Sequence, residues 1–123
     1  MELHTRTFDN VLVLAPAGRI DHTNCDRFLE AIQPHVERCT ASGPRLVFDL
    51  GQLEYVSSAG LRVFGIARKR LQARGGQVAF LNMQPQIEEV FEIVKALPGM
   101  SVFASVADLD RYLAARQRKH LEG

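Results

Sequence analysis

The chain has 123 residues, 46% hydrophobic and 24% charged, with a formal net charge of +1, which is the size and composition of one domain around one core. A charge this close to zero supplies no basic field for nucleic acid or an anionic membrane, and no apolar run approaches the roughly 18 residues that cross a bilayer. Cys25 and Cys39 show no CxxC spacing, and "MELHTRTFDN" lacks the apolar segment of a secretory signal, so a reducing cytoplasm is expected and a disulfide framework is not.

"LHTRTF" and "VLVLAPA" are β-prone runs separated by Asp9-Asn10, a hairpin signal. Pro16 lacks an N–H and predicts an edge or a bulge. "GRIDHTN", Gly18 to Asn24, reads as a loop in which Asp21, Thr23 and Asn24 are N-cap candidates. Phe28, Leu29, Ile32 and Val36 recur on one helical face, with Pro34 expected to kink or restart the helix. "ASGPR" ends it. "LVFDL", Leu46 to Leu50, predicts a buried strand, and "LEYV" continues from it.

A helix is predicted from Ser58 to about Ala73, with Leu61, Phe64, Gly65 and Ala67 toward the core and "RGG" as its stop. "QVAFLN" is the next buried strand. Pro85 opens a helix whose stripe is Ile87, Val90, Phe91 and Val94. "PGM" breaks that helix, and "SVF" predicts a short strand. Ser105 and Asp108 resemble a capping box before a last helix carrying Val106, Leu109, Tyr112 and Leu113. The polar tail, about residues 116–123, is expected to fray. The order β-β-α-β-α-β-α-β-α predicts a single α/β domain over residues 1–123, with a mixed, mostly parallel sheet, an N-terminal hairpin and about four helices.

Catalytic signatures are missing. His4, His22, His35 and His120 fall in no HExxH or Cys/His pattern, so no metal site is expected. GxxxxGK[ST], GxGxxG and GxSxG are absent, so no cofactor is expected, and nothing in the spacing of Ser58, His22 and Asp21 supports a triad. Glu54, Glu88, Glu89 and Glu92 read as a solvated acidic face. Arg68, Lys69, Arg70 and Arg74 complement a helix C-terminus. Arg62 lies in the first turn, where the dipole disfavours a cation, and is a candidate partner contact.

The junction "VSSAGL" concentrates the remaining signal. Ser57 or Ser58 can cap the helix. Gly60 costs about 1 kcal/mol relative to alanine in a helix, so close approach by a neighbouring strand or by a partner is required there. A helix N-terminus also tolerates added negative charge, so a phosphate on Ser58 would switch the local surface by about −1.5 to −2 charges without necessarily unfolding the domain.

Three segments, "GRIDHTN", "VFDLGQLEYV" and "SSAGL", match in register and spacing, and with them the chain resembles the STAS domain family, in particular the bacterial anti-sigma factor antagonists. The resemblance covers nearly the whole chain. It implies a partner switch and not an enzyme. The unphosphorylated antagonist binds an anti-sigma factor that is also a GHKL-type serine kinase. Phosphorylation by that kinase breaks the complex, and a PP2C-type phosphatase reverses the modification. By register the phosphoacceptor is Ser58. Asp21 matches the loop aspartate near the acceptor, for which an N-cap or Asx-turn role is equally open. His22, Thr23, Ser57, Ala59, Gly60 and Arg62 complete the implied interface. Ser57 stands where aspartate is frequent in the family.

An unphosphorylated STAS assembly subunit, of a lipid-transport ATPase or a stress-sensing complex, is the alternative; a small α/β enzyme is the third reading. A cytoplasmic module, monomeric or weakly dimeric, with neither nucleic-acid binding nor membrane insertion, is expected. Ser58→Asp is expected to abolish partner binding with little change in melting temperature.

Overall fold

The computed structural model describes residues 1–40, 42–96 and 105–122. β1 (Glu2–Phe8) and β2 (Val11–Ile20) form the expected hairpin, turned by Asp9 at φ 52°. α1 (Cys25–Arg38) follows, then β3 (Arg45–Asp49), β4 (Leu53–Val56), α2 (Ser58–Gln72), β5 (Val78–Leu81), α3 (Pro85–Ala96) and α4 (Val106–Glu122). The expected "PGM" break and "SVF" strand lie outside the described residues.

β2 organises the sheet. It pairs antiparallel with β1, and on its other side parallel with β3 over Val11–Leu14 and with β4 over Gly18–Ile20. β3 pairs parallel with β5, giving the order β1-β2-β3-β5 with β4 beside the end of β2. Two expectations change here. "GRI" is strand, not loop, and "LEYV" is a strand of its own, separated from β3 by the turn at Gly51-Gln52. Pro16 sits in a central strand, between the stretches that pair with β3 and β4, where a missing donor breaks no ladder bond to either. The register shifts just beyond it, and Gly18 takes the φ of 93° that the shift demands.

The core fills one side of the sheet. Leu12, Leu14, Leu46 and Phe48 meet Phe28, Ile32 and Val36 of α1 and Val63, Phe64, Ala67 and Leu71 of α2. Phe48, Phe64 and Phe28 pack edge-on or tilted, with ring centroids 5.0 to 6.5 Å apart, and Phe80 and Phe91 extend the aromatic cluster. The alternate positions Val13, Val47 and Ala79 lie in one cross-strand row on the opposite face. β5 is therefore covered on one face only: Ala79 is exposed and Leu81 is 48% exposed, contrary to the buried strand expected from its apolar run.

The helices follow the same logic. α1 runs through Pro34 as one element, with the proline on its exposed side. α2 buries Gly60, Val63, Phe64, Ala67 and Leu71, whereas Gly65 faces open space. Gly76 N–H donates to Leu71 O at 2.8 Å, closing α2 at the expected stop. Val94, Val106 and Tyr112, expected on core faces, are partly exposed; Leu109, Leu113 and Gln117 form the buried face of α4.

The polar tail does not fray, because tertiary partners hold it. Val56 N–H donates to Gln117 Oε1 at 2.9 Å, and Gln117 Nε2 donates to Val56 O at 2.8 Å. Gln86 Nε2 donates to Glu54 O at 3.2 Å. Arg116 and His120 both pair with Glu89 of α3. Among the described residues no helix is long and apolar enough to cross a membrane.

Candidate functional site

β2 and β4 are parallel neighbours, so both end at the same edge of the sheet, with Ile20 beside Val56. The chain leaves β2 into the Asp21–Asn24 loop and leaves β4 into α2. Ser57 N–H donates to Ile20 O at 2.9 Å, which ties the two exits together. This is the carboxyl end of parallel strands, where α/β sheets present function.

The two serines divide their work. Ser57 is the N-cap: its backbone is extended, its Oγ accepts from Gly60 N–H at 3.3 Å, and it is only 5% exposed. Ser58 is the first helical residue and half-buried. Its N–H donates to Asp110 Oδ1 at 2.8 Å and its Oγ–H to Asp110 Oδ2 at 3.0 Å. One carboxylate of α4 thus grips the first turn of α2 through both a backbone and a side-chain donor.

Gly60 lies beneath the serines. A Cβ there would stand 2.7 Å from Val56 Cγ2, 2.8 Å from Ile20 Cγ2 and 3.1 Å from Ile20 O. The glycine is required by the strands behind it. Ser57 and Gly60 therefore shape the site from below, and neither offers a surface to a partner.

The loop is self-contained. Asp21 Oδ1 accepts from Thr23 N–H at 2.9 Å and from Thr23 Oγ1–H at 2.5 Å, an Asx-turn. The Thr23 hydroxyl holds the Asp21 carboxyl below its usual range. Asn24 occupies the N-cap position of α1, but its side chain makes no cap: Nδ2 donates to Arg19 O at 2.8 Å, and Oδ1 accepts from Asp21 N–H at 2.9 Å. None of the three N-cap candidates caps α1 through its side chain.

His22, Ser58, Ala59 and Arg62 are brought together on one cleft of about 510 Å³, floored by Leu61 and Leu109. Thr23 is exposed but does not line it. Arg62 lies one turn after Ser58 on the same helical face. Val106, 58% exposed, and Val94 add an apolar rim. Among the described residues no three His, Cys, Asp or Glu side chains converge as a metal would need.

Sequence reasoning missed Asp110, and with it the partner of Ser58. Within "VADLDRYL" it reads as an acidic residue complementing a helix N-terminus, and nothing local connects it to a serine 52 positions earlier. It also missed Tyr55, over whose ring Arg19 stacks at 4.0 Å and whose hydroxyl burial pushes up. Asp110 bears on one expectation: Ser58→Asp would set two carboxylates face to face, so a lowered melting temperature is now expected of that variant.

Comparison with known proteins agrees with this geometry. The STAS domain family profile matches residues 2–109. BtrV of Bordetella bronchiseptica, named as an anti-sigma factor antagonist, is 32% identical over 93 residues, covering 76% of this chain and 78% of its own. The structure of an anti-sigma factor antagonist from Mycobacterium paratuberculosis superposes with a TM-score of 0.58 at 25% identity, over 79% of this chain and 82% of that one. The Bacillus antagonist SpoIIAA in its phosphorylated form gives a TM-score of 0.59 at 17% identity, over 76% and 83% of the two chains. With its hairpin, mixed sheet, four helices and serine-bearing helix start, this chain belongs to the STAS domain family.

Proposed function

We propose that the chain is an anti-sigma factor antagonist that works by partner switching. With Ser58 unmodified it binds an anti-sigma factor that is also a GHKL-type serine kinase. That kinase transfers the γ-phosphoryl group of ATP to Ser58 Oγ; the new O–P bond replaces the bridge to ADP, and the hydroxyl proton leaves. The added charge ends the complex, and a PP2C-type phosphatase restores the hydroxyl. In this scheme the protein is ligand and substrate, not catalyst. His22, Ala59 and Arg62 would meet the partner, with Asp21 and Thr23 holding the loop in place.

One observation carries the reading. The capping duty falls to Ser57, so the helix does not need the Ser58 hydroxyl as its cap, and Ser58 lines a cleft with apolar walls beside Arg62, His22 and the Asp110 carboxylate that its hydroxyl meets. The names of the related antagonists support the same assignment.

The test is intact-mass spectrometry with peptide mapping after incubation with ATP and candidate GHKL-type kinases. One phosphate on Ser58, absent from Ser58→Ala, is the expected result. Stable complexes that never acquire phosphate would favour an assembly subunit. The Ser58–Asp110 bond is the observation on that side, since a purely structural serine would make one.

A further inference from the structure

Ser58 is held by a carboxylate that lines the same cleft. Its hydroxyl and amide both donate to one carboxylate, and that carboxylate belongs to α4, the last helix of the chain. We infer that Asp110 reads the state of Ser58 inside the molecule: it latches α4 onto α2 while the hydroxyl is free and is expelled when the hydroxyl carries phosphate.

The chemistry is a reversal of sign at one contact. The free hydroxyl donates a charge-assisted bond to Asp110. Phosphorylation replaces that hydrogen with phosphorus, so the donor is lost and about −1.5 to −2 charges arrive where a carboxylate already sits. Like charges in a half-buried site repel strongly. The phosphate has an alternative, because Arg62 lies one helical turn on and His22 lines the same cleft. Its stable position is toward the Arg62 guanidinium and away from Asp110.

What moves in response is bounded by how α4 is attached. Its later turns are anchored by Leu113, by the paired bonds of Gln117 to Val56, and by Arg116 and His120 on Glu89. Its first turns carry Val106, largely exposed, and among the described residues they are held by the Ser105 cap on Asp108 N–H, by buried Leu109 and by the Asp110 latch. Release is therefore local to residues 106–112. The α4 wall of the cleft, not only the α2 wall bearing the phosphate, then differs between the two states of the switch.

This inference rests on Ser58 being the phosphoacceptor, but its test needs no kinase. Phosphoserine is encoded directly at position 58, and amide hydrogen exchange is compared by NMR with that of the unmodified chain. Phosphoserine is expected to speed exchange in residues 106–112 about tenfold and to leave the amides around Gln117 unchanged. With Asp110→Asn, phosphoserine should add less than about a twofold change, because the repelling carboxylate is gone. Ser58→Ala removes the hydroxyl without adding charge, keeps the Ser58 N–H bond to Asp110, and should speed exchange clearly less than phosphoserine does.

Equal exchange in the modified and unmodified chains would overturn the latch. So would a phosphate effect of the same size with Asn at 110. Should Asp110→Asn fail to fold, Ser58→Ala still decides: acceleration as large as that of phosphoserine would mean a lost bond and not an expelled carboxylate. Failure to find a kinase bears on the proposed function alone.

Discussion

Replacing Gly60 with alanine tests how α2 is seated, and Gly65→Ala on the same helix is its control. At Gly60 a new methyl would stand 2.7 Å from Val56 Cγ2, 2.8 Å from Ile20 Cγ2 and 3.1 Å from Ile20 O. Both methyls branch from Cβ of fully buried residues, so they yield only if the strands yield. Overpacking of this kind costs about 1–3 kcal/mol. The gain in helix propensity offsets about 1 kcal/mol of that. The net loss is about 0–2 kcal/mol, or a fall in Tm of up to roughly 8 °C for a domain of this size. At Gly65 a Cβ meets nothing within 4 Å, so the same substitution should add about 0.5–1 kcal/mol. Urea unfolding followed by circular dichroism reads both, provided the m-values match the parent. A midpoint for Gly60→Ala as high as that for Gly65→Ala would refute the account of that glycine.

Gln117→Leu leaves the buried N–H and C=O of Val56 without partners and should cost about 2–4 kcal/mol, measurable by the same unfolding. Ser57→Ala should cost about 1 kcal/mol through the lost cap yet leave Ser58 open to phosphorylation, which intact mass would show. Glu89 bears on the acid side of the stability curve. Arg116 first, and His120 second, hold its carboxyl below the ordinary range. A carboxyl depressed in the folded state adds stability above its unfolded pKa, and that stability is lost as pH falls through the folded value. Glu89→Gln should therefore flatten the decline below about pH 4.5, read from urea midpoints across that range.

The sequence carried what is local. Asp9-Asn10 named the hairpin, the RGG stop ended α2 where it ends, and the apolar stripes of α1 and α3 marked buried faces. Gly60 announced that something approaches it, but strand and partner were equal candidates until β2 and β4 were seen behind it. "LEYV" follows β3 so closely that it reads as a continuation, and only its pairing with β2 makes it a separate strand. The tail "ARQRKHLEG" is polar by composition, and its order comes from Val56 and Glu89, far away in the chain. Asp110 is the same case at the site itself. Side chains that serve a distant backbone leave no periodic trace for a sequence to show.

The glutamines beside β4 have a consequence for assembly. Among the described residues β4 pairs with β2 alone, and a bare outer rim there would recruit a strand from another molecule. The Gln117 amide presents a carbonyl and an N–H to Val56 as a neighbouring peptide group would, and Gln86 covers Glu54 O two residues earlier. Both glutamines are buried. Together they imitate one short strand beside β4 and satisfy backbone groups on its rim. The strand that delivers Ser58 to the surface is thus shielded from strand addition at Glu54 and Val56.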